Sequence, residues 1–279
     1  MRIYIVIILF LITVYFLRHF FTSKTVQSVF HAISRTNNVP NIIFRTISGP
    51  IQSKAMVLAC HDEWQKLNPK YSIVWYSNHD CDRFMAQYYS GPVNNSYLAL
   101  KPGAYKADLW RLCVLYRFGG IYIDAYATPY CSLDEMLSDC WNKDNPQFIS
   151  VLDCALAGQG IHNGFIVAER RHPFLKQSID DIVENVQNRY YGQSCLDITG
   201  PVCLSKSIKK VIGAHTHLVG RNKHHRYSYF LFQLKMGPYQ HIYKDSKRIM
   251  SKYYSFLFFL WRTMSPTKYG TMWKHKEVY

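Results

Sequence analysis

The stretch from Lys101 to Asp134, KPGAYKADLWRLCVLYRFGGIYIDAYATPYCSLD, decides the fold class. Leu109, Leu112, Cys113 and Tyr116 fall at i, i+3, i+4 and i+7, the spacing of a helix that buries one stripe. Asp108 and Arg111 sit three apart and so share a helical face beside that stripe. Gly119-Gly120 stops the helix, because glycine accepts the positive φ needed there. Ile121, Tyr122 and Ile123 read as a short core strand, and Asp124 emerges at its carboxyl end. Ligands of open α/β sheets bind outside that end of the strands. The block therefore predicts the floor of a ligand site.

Working outward, strands and helices alternate. Asn41–Ile47 (NIIFRTI) and Tyr71–Tyr76 (YSIVWY) predict strands, separated by a helical pattern near Ser53–Leu67 that Asn68-Pro69 ends. Asp80–Tyr89 reads as helical. Phe148–Leu152 and Gly164–Ala168 predict further strands. A helix opens at His172-Pro173 and runs to about Gln187, with another after Gly200-Pro201. Tyr229–Leu234 reads as a strand, and the aromatic run Tyr253–Trp261 as a helix packed on the domain. This alternation predicts an α/β fold, a mainly parallel sheet flanked by helices.

The chain has 279 residues, 48% of them hydrophobic, enough for one large α/β domain and too apolar for disorder. Its 33 basic against 18 acidic residues give a net charge of +15, which calls for an anionic partner. No zinc-finger spacing or nucleic-acid signature accompanies the charge, so nucleic acid is set aside. Eight cysteines form no CxxC pair and are too sparse for a disulfide framework. No GxSxG elbow, P-loop or GxGxxG occurs, which leaves hydrolase, NTPase and Rossmann readings without support.

Residues Ile3–Leu17 (IYIVIILFLITVYFL) carry no charge, and Phe20-Phe21 resumes the apolar run. With Arg2, Arg18 and Lys24 able to snorkel, residues 1–21 predict a single-pass membrane anchor. Residues 22–38 read as a polar stem and 39–279 as the folded domain. Orientation stays open: the charge flanking the anchor favours a cytoplasmic domain, while the sequon Asn94-Asn95-Ser96 fits a lumenal one of Golgi or ER type.

The segment KADLWRLCVLYRFGGIYIDAY resembles the sugar-binding region of family 32 glycosyltransferases, the group related to initiating mannosyltransferases and clostridial glucosylating toxins. NIIFRTI, YSIVWYSNHD, NGFIVAERRHPFL, LDITGP and the terminal WKHKEVY look similar to further segments of that family, in order, from about Val39 to Tyr279. The resemblance implies a GT-A-like nucleotide-sugar-binding fold that takes a UDP- or GDP-hexose. It also implies transfer of the hexose to a hydroxyl of a glycan or glycoconjugate, with retention of configuration. Carried over by position, Asp108 and Arg111 would hold donor hydroxyls. Asp124, the first Asp of the family's D-x-D, would contact the donor and support a metal, with Tyr122, Tyr126 and Asn163 lining the donor site. Without that context, Asp108–Arg111 is a local ion pair worth about 0.2–0.5 kcal/mol.

One position departs from the pattern. The family's second Asp, which ligates Mn²⁺ or Mg²⁺, is Tyr126 here, and a neutral phenol is a poor substitute for a carboxylate. Three outcomes follow. Asp124 takes a second metal ligand, with Asp153, His215 and His217 the candidates. Or basic side chains replace the metal. Or catalysis is lost and the domain only binds nucleotide sugar or glycan. A basic scaffold on anionic membranes is the remaining rival, supported by charge and anchor alone.

Overall fold

The computed structural model describes residues 39–49, 54–138, 140, 147–153, 160–213, 216–224, 227–235, 240–252 and 268–279. The expected anchor and stem, the 253–261 aromatic run and His215 lie outside the described residues. Among the described residues, no helix is long and apolar enough to cross a membrane.

The elements run β1 (Ile42–Thr46), α1 (Ala55–Leu67), β2 (Ser72–Tyr76), α2 (Asn78–Tyr88), α3 (Gly91–Ala99), α4 (Gly103–Phe118) and β3 (Gly120–Ile123). There follow β4 (Thr128–Pro129), α5 (Leu133–Leu137), β5 (Phe148–Asp153), β6 (Gly160–Ala168), α6 (Pro173–Gln187) and α7 (Pro201–Ile212). Four strands, β7 (Gly220–His224), β8 (Tyr227–Leu234), β9 (His241–Lys244) and β10 (Lys247–Ser251), precede α8 (Lys268–Lys274). The sheet order is β2-β1-β3-β6-β5-β8-β9-β10-β4, with β7 paired to β8.

The sheet is mixed, which corrects the expectation of a mainly parallel one. β1 pairs β2 and β3 in parallel, and β5 pairs β8 in parallel. The β3–β6, β5–β6, β7–β8, β8–β9, β9–β10 and β4–β10 pairs are antiparallel. Connection length is the cause. A parallel return needs a crossover of a dozen or more residues, and only residues 154–159 join β5 to β6. Between β9 and β10 the turn is Asp245-Ser246, with φ of 50° and 62°, the left-handed pair of a tight hairpin.

The helix of the opening block is buried almost all round, and no single stripe is set apart. Trp110, Val114, Leu115 and Phe118 are as buried as Leu109, Leu112 and Cys113, whereas Tyr116 is only partly covered. The reason is a second packing layer: Trp110 lies 4.8 Å from the Tyr76 ring of β2 and against Phe84 of α2. Gly119 caps α4 at φ 71°, and a Cβ there would strike the Arg170 backbone nitrogen at 2.8 Å. Gly120, at φ 113°, lies against β1. Both glycines are therefore required for β3 to enter the sheet directly behind its helix.

On one side of the sheet Ile43, Ile121, Ile123, Ile149, Val151, Phe165, Val167, Phe232 and Leu234 form the main core with Trp64 of α1. The Trp64 indole donates to the Ala127 carbonyl at 2.8 Å, which ties α1 to the loop after β3. Ser77 and Asp80 form a capping box on α2, and His172 caps α6 ahead of Pro173. The seven described cysteines are free thiols. The sequon lies within α3 with Ser96 buried, a helical placement in contrast to an exposed loop.

Candidate active site

The site is built from α4, β3, β6 and the loop before α7. Arg111 on α4 is buried, and its guanidinium meets two carboxylates: Nη2 lies 3.2 Å from Asp108 Oδ1, and Nη1 lies 3.2 Å from Asp124 Oδ1. The same Nη1 donates to the Asn163 carbonyl at 2.8 Å. Its plane also rests over the Tyr122 ring at 4.3 Å, and Tyr122 Oη donates to Asp124 Oδ1 at 2.9 Å. Asp108 accepts from Asn163 Nδ2 at 2.9 Å and, on its other oxygen, from Thr199 Oγ1 at 2.8 Å. Asp108, Arg111, Tyr122, Asp124 and Asn163 thus form one connected network.

Burial raises the Asp108 carboxyl to about 6, against the opposing pull of Arg111 and the Thr199 hydrogen bond. Burial also works against the charge of Asp124, but Arg111, the Tyr122 hydroxyl and Lys252 hold that carboxyl below the ordinary carboxylate range. The two acids differ in access as well. The Asp108 side chain is 13% exposed and that of Asp124 is 35% exposed, so Asp124 is the acid that faces solvent.

The loop carrying Asp124 is held from beneath by Arg45 of β1, which is fully buried. Its Nη2 donates to the carbonyls of Asp124 at 2.9 Å and Ala125 at 2.8 Å, while its guanidinium stacks on Trp75 at 4.7 Å. Burial depresses Arg45 to about 10. Sequence reasoning missed this role, because NIIFRTI read only as a strand.

Asn163 and its neighbours owe their positions to a bulge. Between Ile149↔Val167 and Val151↔His162 the register of β5 against β6 slips, so residues 163–166 of β6 stand opposite Ser150 alone on β5, while Phe165 and Ile166 keep their pairing with β3. Ser150 closes the bulge, donating to the carbonyls of His162 at 3.1 Å and Phe165 at 2.9 Å. Bulges of this kind re-aim side chains next to active sites.

His162, a residue with no signal in the sequence beyond its place before Asn163, stands beside Asp124. A Cβ on Gly164 would meet Asp124 Oδ2 and, at 2.5 Å, His162 Nε2. His162 is 4% exposed, and burial pushes its imidazole down to about 3, so it is neutral. Thr199 was a turn residue to the eye, and its hydroxyl bond to Asp108 appears only in three dimensions. Its loop is fixed by Asp197, which accepts from Ser194 and from Lys206 Nζ at 2.6 Å.

The expected metal ligands fare differently. The Tyr126 ring packs with Trp75 against Ile47, Val57 and Ala125, an apolar setting for the position of the second Asp. Asp153 ends β5, separated from the strand of Asp124 by β6. His217 is corrected to a core residue: Nδ1 bonds Tyr229 Oη at 3.1 Å and Nε2 the Ser205 carbonyl at 3.3 Å, so neither nitrogen is left for a cation. Among the described residues no group of three or more His, Cys, Asp or Glu is placed to hold a metal.

Residues 55–151, which include Asp108, Arg111, Asp124 and Tyr126, match the family model described as "Glycosyltransferase sugar-binding region containing DXD motif". That segment is therefore similar to a glycosyltransferase sugar-binding region. A relative, the O-glycosyltransferase braB of Annulohypoxylon truncatum, is 31% identical over 93 residues, 31% of this chain. The chain spans about a fifth (21%) of the length of that relative. In fold, the domain is similar to the PaToxG glycosyltransferase, with a TM-score of 0.51 at 16% identity over 71% of this chain and 79% of that one. The UDP-bound glycosyltransferase domain of the YGT toxin aligns over 64% of this chain and 69% of its own, at 10% identity and a TM-score of 0.35, too slight a likeness to bear on the fold. The domain has a GT-A-like α/β fold.

Proposed function

We propose that this domain transfers a hexose from a UDP- or GDP-hexose donor to a hydroxyl of a glycan or glycoconjugate, with retention of configuration. The observation that carries the reading is the Asp108–Arg111–Asp124 network, bonded from two elements and a bulged strand inside the matched sugar-binding segment or against it. A carboxylate accepts from sugar hydroxyls, and a guanidinium donates. Asp124 faces solvent and stays ionised, which suits it to a hydroxyl-rich ligand. Arg111 is held from four sides, so its direction is set before any ligand arrives. Asn163 and Thr199 keep Asp108 from rotating away.

The resemblance also implies a Mn²⁺ or Mg²⁺ ion at Asp124. Such a cation, when bound, supplies positive charge opposite a departing diphosphate. Of the chain's residues, Asp124 has the donor atom for it; Tyr126, half-buried against an apolar cluster, brings a neutral phenol where the second carboxylate would stand. That packing favours a second reading, in which the domain binds nucleotide sugar without turning it over.

The two readings separate in one experiment. Wild-type protein incubated with UDP- and GDP-hexoses and an acceptor panel, followed by mass spectrometry, yields glycosylated product under transfer. Nucleotide-sugar binding with neither transfer nor hydrolysis is the signature of the binding relative. For the N-terminal run we propose attachment to a membrane: the full chain should pellet with membranes through an alkaline wash, and residues 39–279 alone should not.

A further inference from the structure

The turn that carries Asp124 is surrounded by more positive charge than its carboxylates use. Ala127 N donates to the Asp124 carbonyl at 3.1 Å, which closes a turn over residues 124–127, and β4 starts directly after it at Thr128. β10 runs antiparallel to β4 with Ser251 opposite Thr128, so Lys252 leaves β10 next to that turn. The Lys252 backbone is fixed there by its N–H, which donates to the Gln240 carbonyl at 3.1 Å. Lys252 is half-buried, and its charge acts on both Asp124 and His162. Beneath the turn, Arg45 Nη2 donates to the carbonyls of Asp124, Ala125 and, at 3.4 Å, Ala127. Nε and Nη1 of the same buried guanidinium find no acceptor among the described residues, so no carboxylate there pairs with it.

The balance of charge around the turn follows. Arg45, Arg111 and Lys252 stand against Asp108 and Asp124, an excess of one positive charge with both acids ionised. A carboxylate at position 126 would cancel that excess, and a divalent cation would then be needed to meet a diphosphate. Tyr126 leaves the excess in place. Its phenol, half-buried against Ile47, Val57 and Ala125, also offers a metal no second anionic oxygen. We propose that Lys252 binds the diphosphate of the donor and supplies the positive charge that the family's pattern assigns to a metal. The proposal rests on the donor reading above. An ammonium suits the task as a compact point charge on a flexible stem, able to follow either phosphate. Arg45 is covered and is a positioning residue: it holds the turn and adds its field from behind without touching the ligand.

Calorimetry on the full-length protein tests this with UDP and GDP in Mn²⁺ and in EDTA, and with inorganic pyrophosphate in EDTA. One nucleotide should bind equally in both buffers, pyrophosphate should bind without metal, and both should weaken as salt rises. Lys252→Met should weaken both by about tenfold or more, the scale of a lost charge-assisted contact. Lys252→Arg, which keeps the charge, should retain most of the affinity. The matching nucleoside, uridine or guanosine, has no phosphate and should bind Lys252→Met as it binds wild type, which shows the variant folded. Nucleotide binding that requires Mn²⁺, or that is unchanged in Lys252→Met, would overturn the proposal and leave the donor reading standing. Lys252-dependent binding of pyrophosphate, with neither nucleotide bound, would uphold the anion site and sink the donor reading. Binding of none of the three anions would sink both.

Discussion

Arg111 Nη1 stands 3.2 Å from Asp124 Oδ1, although one residue belongs to a helix and the other ends the strand after it. The diglycine turn makes the pairing possible by folding the strand back along its own helix within two residues. Arg111 therefore reports on Asp124, and it also holds Asp108. Removing one partner of a buried ion pair leaves a charge uncompensated, at a cost of about 3–5 kcal/mol. Arg111→Ala should lower stability by that amount in urea denaturation. Arg111→Lys should fold better but lose donor binding, because a single ammonium cannot bridge two carboxylates and a carbonyl. Wild-type donor affinity in the lysine variant would refute the bridging role.

Asp108 gives the site an acid limb. Its carboxyl is raised to about 6, so it is ionised above that pH and protonated below it. Protonation takes a charged partner from Arg111. Donor binding should rise between pH 5 and 7 with a midpoint near 6, and Asp108→Asn should flatten that rise. Calorimetry of nucleotide-sugar binding across the range measures both.

Stability should fall with acid for a separate reason, away from the site. His172 caps α6 and is packed against Phe148 at 5.5 Å and Phe174 at 4.6 Å. Burial depresses it from 6.5 to about 3. Between those values the unfolded chain takes up a proton that the folded chain refuses, so its contribution is complete above pH 6.5 and is lost as pH falls. The slope is about 1.4 kcal/mol per pH unit for each such group. His172→Asn keeps a capping acceptor, so denaturation midpoints measured from pH 7.5 to 4.5 should decline less steeply than in wild type.

The gap beside Gly164 yields a steric prediction. Gly164→Ala places a methyl group against both Asp124 Oδ2 and His162 Nε2. Overpacking of this kind costs about 1–3 kcal/mol. The variant should remain folded by circular dichroism and melting, yet lose donor turnover. Unchanged turnover would mean the gap is not part of the site.

Legibility in the sequence followed the reach of each signal. The helix, diglycine and strand of the opening block are local, and Asp108 and Arg111 share a helix face as their spacing predicts, whereas the contact of Arg111 with Asp124 at the strand's end required the fold. Strand direction was not local: β9 (HIYK) and β10 (KRIMS) are short and charged, without the apolar alternation that announces a strand. Gly164–Ala168 was read as a strand, but β6 begins at Gly160, and the bulge that aims His162 and Asn163 depends on Ser150 across the ladder. No periodicity encodes such a slip. Tyr126 was visible as a missing carboxylate; that its ring settles against Val57 and Trp75 required the packing.

The central claim is that Asp124 and its network form a nucleotide-sugar donor site. Mass-spectrometric turnover of UDP- and GDP-hexoses by wild type, Asp124→Asn and Asp108→Asn tests it most directly. The account predicts product from wild type with one donor and a loss of at least about a hundredfold in each variant, the scale of removing one preorganised polar group, with melting temperatures that show both still folded. Full turnover in both folded variants would contradict it.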